Sequence, residues 1–502
     1  MTRLSDLEYL RLNKWKRFWY RFALFFISIP HFFVNLFKKI GRFFKNFGIG
    51  VAHYFKGLVT TFIHGSWKTK ISYFIMGFGS IARKQVLRGI LFFLMEAVFI
   101  LFMILVGGKY LGKLGSLGQL GRTEVYDPVR DVMVYQYHDN SFKILLYSIL
   151  TLFFIIAFLF TWNLNIKQNR LNDQIEEEKR KISTDKDDLR SIVDENFHRT
   201  LLTLPVLGIT IFTILPIVFM VLIAFTSYDV DHDGYVNLFH WVGWNNFNQL
   251  FTWSNGSASF SATFGEILVW TLIWAFFATF TNYFLGMLVA MLINRKGIKL
   301  KKVWRTVLVL SIAIPQFISL LFVSKMFSEN GIINGFLQNV FHTRLPFWTD
   351  PTWAKFTVIF INIWIGIPYL MLITTGILMN VPQDLYESAK IDGANAWQQY
   401  TRITLPYMLF VTGPYLLTSF TANMNNFNVI YLLTGGGPSS NALYGSAGKT
   451  DLLITWLYSL TVNDSSYNLA SVIGIMVFAV VAVISLIVYN IIPSTKNEED
   501  FQ

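Results

Sequence analysis

Eight apolar runs, each about 20 residues long, leave this chain of 502 residues few folds to choose from. They lie near 88–106, 143–162, 203–226, 265–293, 306–324, 356–379, 407–433 and 468–492. Hydrocarbon offers no water to backbone N–H and C=O groups, so a run of this length must satisfy them internally, as a helix. The expectation is an all-α polytopic membrane protein with about eight transmembrane helices. At 53% hydrophobic, 17% aromatic and 14% charged residues, the chain has too few charges to cover a soluble surface. Its net charge of +12 would suit nucleic acid, but the excess sits in the N-terminal arm and in short loops beside apolar runs. That is the pattern of membrane orientation, so no nucleic-acid partner is expected. There is no cysteine, which removes disulfides, thiolate catalysis and thiolate metal sites.

Charge in the loops gives the topology. Arg295, Lys296, Lys299, Lys301, Lys302 and Arg305 crowd one short connection, whereas 227–264 contains neither Lys nor Arg. The basic connection belongs inside. Alternation then puts both termini, the charged stretch 163–200 and the loop around Glu387 in the cytoplasm. Residues 1–87 read as a basic, aromatic arm of interfacial amphipathic helices, in which Arg11, Lys14, Lys16, Arg17, Arg21, Lys38, Lys39, Arg42 and Lys45 bracket the uncharged run 22–37. That run is short for a span and contains Pro30, so a helix lying on membrane lipid is expected in preference to a ninth crossing. Residues 88–200 hold two extra spans and a charged cytoplasmic connector, a helical hairpin or coil. Residues 201–495 hold a six-helix core. The outer loop 107–142, with Gly107, Gly108, Gly112, Gly115, Gly118 and Gly121, should be irregular.

Several apparent motifs carry no chemistry. Residues 445–450, GSAGKT, end like a phosphate-binding loop, but Leu443 stands where the first glycine is required. Gly435, Gly436, Gly437 and Pro438 read as the turn ending the seventh span. The eight histidines show no paired-ligand spacing, so no metal site is expected. Glu96 lies well inside its span and calls for a partner, with Arg88 nearest in sequence, while Glu266 stands at a helix end. Neither belongs to a second carboxylate or a Ser/His pair, so no catalytic residue is assigned.

Uncharged polar residues within spans are the better guide. Asn362, Gly366 and Tyr369 fall at i, i+4 and i+7; Asn423 and Asn426 share a face; Gln316 and Ser319 share another just after Pro315. Amides donate and accept hydrogen bonds without demanding a counter-charge, which suits a neutral, hydroxyl-rich solute. Tyr369 and Trp364 offer rings for an apolar sugar face. Taken singly, each amide serves equally well to bolt helices together.

The cytoplasmic segment 385–408, LYESAKIDGANAWQQYTRITLPYM, has both charge signs and lies between two apolar runs. Glu387, Ser388 and Ala389 precede Asp392 and Gly393, and Ile403, Leu405 and Pro406 follow after a nine-residue gap. This resembles the EAA loop of ABC importer permeases, with Ser388 where alanine is commoner. From about residue 88 onward the chain is similar to the larger permease subunit of maltose and maltodextrin ABC importers, in the binding-protein-dependent transport inner-membrane component family. INIWIGIPYLM, NMNNF, LLTGGGP and the EAA loop follow in family order.

The resemblance implies a non-catalytic half-pore. It would hold an oligosaccharide at Gln316, Asn362, Ile365, Gly366, Tyr369, Asn423 and Asn426. It would couple through its EAA loop to two ABC ATPase subunits that bind the ATP and Mg, so the chain itself carries no cofactor. A second homologous permease would complete the pore. Ile312 and Ala422 replace aromatic residues of the family pattern, which leaves sugar identity open, another neutral oligosaccharide or polyol-type solute included. The short loop 227–264 resembles the Gram-positive form, served by an extracellular lipid-anchored sugar-binding protein. A cation-coupled sugar symporter would instead need a mid-membrane carboxylate beside the amides, and would have no use for an EAA loop.

Overall fold

The computed structural model describes residues 13–232, 237–252, 258–295 and 297–491. Arg11, Lys296 and both chain ends lie outside the described residues. The chain forms two compact units, one of residues 1–108 and 151–207, the other of 109–150 and 208–502.

In the first unit, α1 (Lys14–His64) is one unbroken helix that passes through Pro30. Two short helices, α2 (Trp67–Ile71) and α3 (Phe78–Ile81), lead into the crossing helix α4 (Val86–Gly112). The next crossing helix, α5 (Ser141–Glu177), continues about four turns past the end of its apolar run, at 3.6 residues per turn. The charged connector is therefore helical, and it continues as α6 (Asp185–Val193), which starts at a Thr184/Asp187 capping box. A buried polar cluster holds 65–85 against α5. Arg83 donates to Asn169 Oδ1 at 2.9 Å and to Ser66 Oγ at 2.9 Å, and pairs with Asp173. Asn165 donates to Ser72 O and accepts from Gly77 N–H, and Asn172 donates to Gln85 Oε1. One expectation fails here: Glu96 does not pair with Arg88. Its carboxylate accepts the Met76 N–H at 2.8 Å, and Arg88 pairs with Asp188 at 2.6 Å, because the 65–85 segment folds back and brings nearer partners than sequence proximity suggests.

The second unit opens with a loop that is more ordered than its glycines imply. After Gly118, at φ +103°, β1 (Arg122–Asp127) pairs antiparallel with β2 (Val132–Tyr137), with Arg122 opposite Tyr137. Alternating β-branched and aromatic residues outweigh the glycine signal there.

The third crossing helix, α7 (Phe197–Ile223), is followed by α8 (Asn245–Phe251) and the long α9 (Phe260–Asn294). Then come α10 (Lys301–Ala313), α11 (Gln316–Met326), α12 (Ile332–Phe341) and α13 (Pro351–Leu378). The EAA segment holds α14 (Gln383–Ile391), and α15 (Ala396–Met424) crosses next. Last are α16 (Phe427–Thr434), α17 (Leu453–Val462) and α18 (Tyr467–Ile491). Among the described residues, seven single helices are long and apolar enough to cross a membrane, and the pair α10 and α11 makes an eighth.

Two of the expected spans are broken. The run 306–324 bends by 91° between α10 and α11, because Pro315 forces Ile314 into the extended region at ψ 126° and supplies no N–H. The run 407–433 stops as a helix at Met424. There Asn426 leaves helical geometry and its Oδ1 accepts the Val429 N–H, capping α16. The core between these helices packs closely: a Cβ on Gly286 would lie 2.7 Å from Leu370 Cβ, so α9 and α13 meet there as only a glycine allows.

Candidate functional site

All seven proposed sugar contacts line one cavity of about 540 Å³ in the second unit. Gln316 comes from the first turn of α11, Asn362, Ile365, Gly366 and Tyr369 from α13, Asn423 from the end of α15, and Asn426 from the break before α16. Ser319 and Trp364 also line it. Of the two departures from the family pattern, Ile312 lines the cavity and Ala422 is absent from its wall.

The breaks in the helices build this site. At the Pro315 bend the first N–H groups of α11 have no intrahelical acceptor, and the N-terminal end of the helix carries partial positive charge beside the cavity. At the second break, Asn423 donates to Thr279 Oγ1 at 3.0 Å, and Asn426 donates to Asn423 Oδ1 at 3.3 Å. Trp274 Nε1 donates to the Asn423 carbonyl at 3.1 Å, fixing that turn against α9.

Asn282 of α9 escaped the sequence reading, as did Tyr415 and Ser419 of α15, all of which line the cavity. Asn282 follows directly on a π-helical turn, Phe277–Thr281, which shifts the helix face by one residue. The signal available was a lone amide inside the fourth apolar run. A Cβ on Gly366 would fall 2.3 Å from Asn282 Nδ2, so glycine makes room for that amide. Asn282 and Asn362 are only 6% and 7% exposed, yet Asn282 Oδ1 and Asn362 Nδ2 have no hydrogen-bond partner. A buried unpaired acceptor beside a buried unpaired donor is costly unless something fills the space between. A sugar hydroxyl, which both donates and accepts, meets that requirement.

The EAA segment folds as helix, turn and helix. Glu387 and Ser388 are exposed on α14, and Ala389 is half-buried, its carbonyl accepting the Ala394 N–H at 2.8 Å. Asp392 caps α14 and Gly393 takes φ +76°, a conformation that favours glycine. Asn395 and Gln398 form a reciprocal capping box that restarts the helix. Ile403 and Pro406 line an apolar groove of about 510 Å³ with Leu385, Arg402, Tyr407, Leu409 and Phe410. Leu405 packs against the core of Tyr283, Met287, Leu370, Met408 and Leu416. Tyr386 and Thr404 hydroxyls, 2.8 Å apart, tie the two arms of the turn together. Just before the turn, Ile391 at the end of α14 is 86% exposed.

The two stretches set aside earlier fold into one loop. Thr450 N–H donates to Gly436 O and Lys449 N–H to Pro438 O. Gly435, at φ +61°, ends α16 as expected. Glu266 lies in the second turn of α9 and accepts from Lys449 Nζ at 2.7 Å. Asp451 is buried under Gly436, where a Cβ would meet its carboxylate at 2.2 Å. Burial pushes the Asp451 carboxyl from 3.8 up to about 6, against hydrogen bonds from Gly448 N–H and Thr455.

Residues 282–497 match the family of binding-protein-dependent transport system inner membrane components. The chain is 35% identical over 431 residues to the maltodextrin transport system permease protein MalC of Streptococcus pneumoniae, covering 83% of this chain and 93% of that one. It is 32% identical to the galactooligosaccharides transport system permease protein GanP of Bacillus subtilis, covering 84% and 97%. To the maltose/maltodextrin transport system permease protein MalF of Escherichia coli it is 34% identical, but over 49% of this chain and 48% of that protein. A solved permease chain of a bacterial alginate ABC transporter aligns with a TM-score of 0.49 at 24% identity, covering 60% of this chain and 97% of its own. With crossing helices, a helix–turn–helix EAA segment and relatives matched over nearly their full length, the chain belongs to the binding-protein-dependent transport system inner membrane component family, as an ABC importer permease subunit.

Proposed function

We propose that this chain is one half of a heterodimeric pore that imports neutral oligosaccharides of the maltodextrin type. The reading rests on one observation above all. The amide-lined cavity and the EAA turn are built on the same two helices, since α13 leads from Asn362 into α14, and α15 runs unbroken from Ala396 to Asn423. Those residues are separated by roughly 40 Å of helix at 1.5 Å per residue. A push on the EAA turn therefore reaches the sugar contacts through a rigid element.

The chain's own residues bind and orient solute and hold no catalytic group. ATP and Mg are bound and hydrolysed on two ABC ATPase subunits that grip Glu387 through Pro406. A second homologous permease covers the side of the cavity where Trp364 and Tyr369 are more than half exposed. A lipid-anchored extracellular binding protein delivers the sugar. Both termini are cytoplasmic.

Two substitutions separate the functions. Gly393→Leu should abolish sugar uptake while leaving the purified complex assembled, because φ +76° strains any side chain and nothing lies within 4 Å to be disturbed. Asn362→Ala or Tyr369→Ala should weaken uptake of maltodextrin. Normal transport by the Gly393 variant would defeat the coupling assignment, and unaltered affinity and rate in both alanine variants would remove them from the site. The match to a galactooligosaccharide permease favours a second reading, that galactooligosaccharides are the cargo; competition uptake with the two sugars decides between them.

A further inference from the structure

The helix α1 contributes no residue to the lining of the cavity described above, and its middle is bare. Every residue from 41 to 56 is exposed. On a helical projection Lys38, Lys39, Arg42, Lys45, His53 and Lys56 fall on one face. Phe43, Phe44, Phe47, Val51, Tyr54 and Phe55 fall on the other, and each is exposed. Water is a poor solvent for so continuous a stripe of rings.

Charge says what covers it. No Asp or Glu occurs between Glu8 and Glu96, while fifteen Lys and Arg do. Among the described residues no carboxylate pairs with Lys38, Lys39, Arg42, Lys45 or Lys56. A basic face and an aromatic face along one helix match the boundary of an anionic leaflet, where rings enter the acyl edge and cations meet phosphate.

The anchoring of α1 supplies the depth. Tyr73 hydroxyl donates to Leu58 O of α1, and Trp162 Nε1 of α5 donates to Tyr73 O. Ser66 N–H donates to Asp173, and the Arg83 cluster fixes the same segment to Asn169. Trp162 to Asp173 is where α5 leaves its apolar run for its charged extension, which is the level of the headgroups. The C-terminal end of α1 is thus pinned at lipid depth.

We propose that α1 is an anionic-lipid-binding helix lying in the plane of the cytoplasmic leaflet, its Phe43/Phe47/Phe55 side in the acyl boundary and its Lys38/Arg42/Lys45 side on lipid phosphates. The proposal takes its sidedness from the basic-loop orientation and is independent of the sugar. Because the chain contains no cysteine, single substitutions from Lys38→Cys to Lys56→Cys accept a nitroxide cleanly. The complex, purified with its co-eluting subunits, goes into nanodiscs of phosphatidylcholine with or without phosphatidylglycerol, and collisions with oxygen and a nickel chelate are measured.

In anionic discs, oxygen access should peak at 43, 44, 47, 51 and 55 and nickel access at 38, 42, 45 and 56, with helical period. In neutral discs, or in K38Q/K39Q/R42Q/K45Q, the contrast should fall several-fold. Equal nickel access on both faces in anionic discs overturns the proposal. So does an apolar face shielded from both reagents, which marks a protein partner, or the same contrast in neutral discs, which removes the anionic headgroup.

Discussion

Two clusters of buried amides, one in each unit, do opposite things. In the first, Gln85, Asn165, Asn169 and Asn172 have both the oxygen and the nitrogen of each side chain engaged, around an Arg83 that pairs with Asp173. In the second, Asn282 Oδ1 and Asn362 Nδ2 are buried and unpaired at the cavity wall. Burial is nearly the same. The first arrangement has spent its hydrogen bonds on the fold, and the second leaves two polar atoms open on residues that line a cavity.

The contrast is broken or sharpened by substitution. The largest effect belongs to Arg83→Met, which leaves Asp173, only 12% exposed, without its fully buried cation and should cost about 3 kcal/mol of first-unit stability. Thermal unfolding and proteolysis between 65 and 85 read it out. Asn362→Ala, by contrast, should leave the unfolding temperature almost unchanged; equal destabilisation by both would erase the distinction.

Next comes Gly366→Val, whose Cβ would displace Asn282. Uptake should fall at least as far as with Asn282→Ala, and a variant with unimpaired uptake would show the cavity is slack there. Asn282→Ala itself should raise the half-saturating sugar concentration about tenfold, the equivalent of one net hydrogen bond of ~1.4 kcal/mol, with folding intact. No change in that concentration would mean Asn282 Oδ1 never meets solute.

A titration tests a group outside both clusters. A carboxyl raised from 3.8 to about 6 at Asp451 holds its proton more tightly folded than unfolded. This group's contribution to stability is therefore greatest below pH 4 and is lost as pH climbs toward 6, at up to ~1.4 kcal/mol per pH unit. Asp451→Asn should flatten the slope in a pH series of thermal unfolding curves; an unchanged slope would assign it to another group.

Much of this was legible in the residues. Spans follow from runs of apolar side chains, and the Asn362/Gly366/Tyr369 stripe of α13 follows from helical spacing, whereas Asn426 reaches the cavity from a break in the helix and not from a shared face of α15. The expected span 306–324 ran straight through Pro315, where the structure bends by 91°. Asn282 was not legible, because its worth depends on a π-helical turn and on Gly366, 84 positions away. Glu96 was misread for a related reason. Its partner is a backbone N–H on a segment that doubles back, and backbone donors leave no trace in the pattern of side chains.

The sequence by itself determined that this chain crosses a membrane and where its EAA turn lies, since both depend on local runs of hydrophobicity, charge and backbone freedom. Only the tertiary structure decided which amides are spent on the fold and which are left facing a cavity. Whether a polar group is paired depends on atoms that approach from elsewhere in the chain, and spacing along one helix does not contain them.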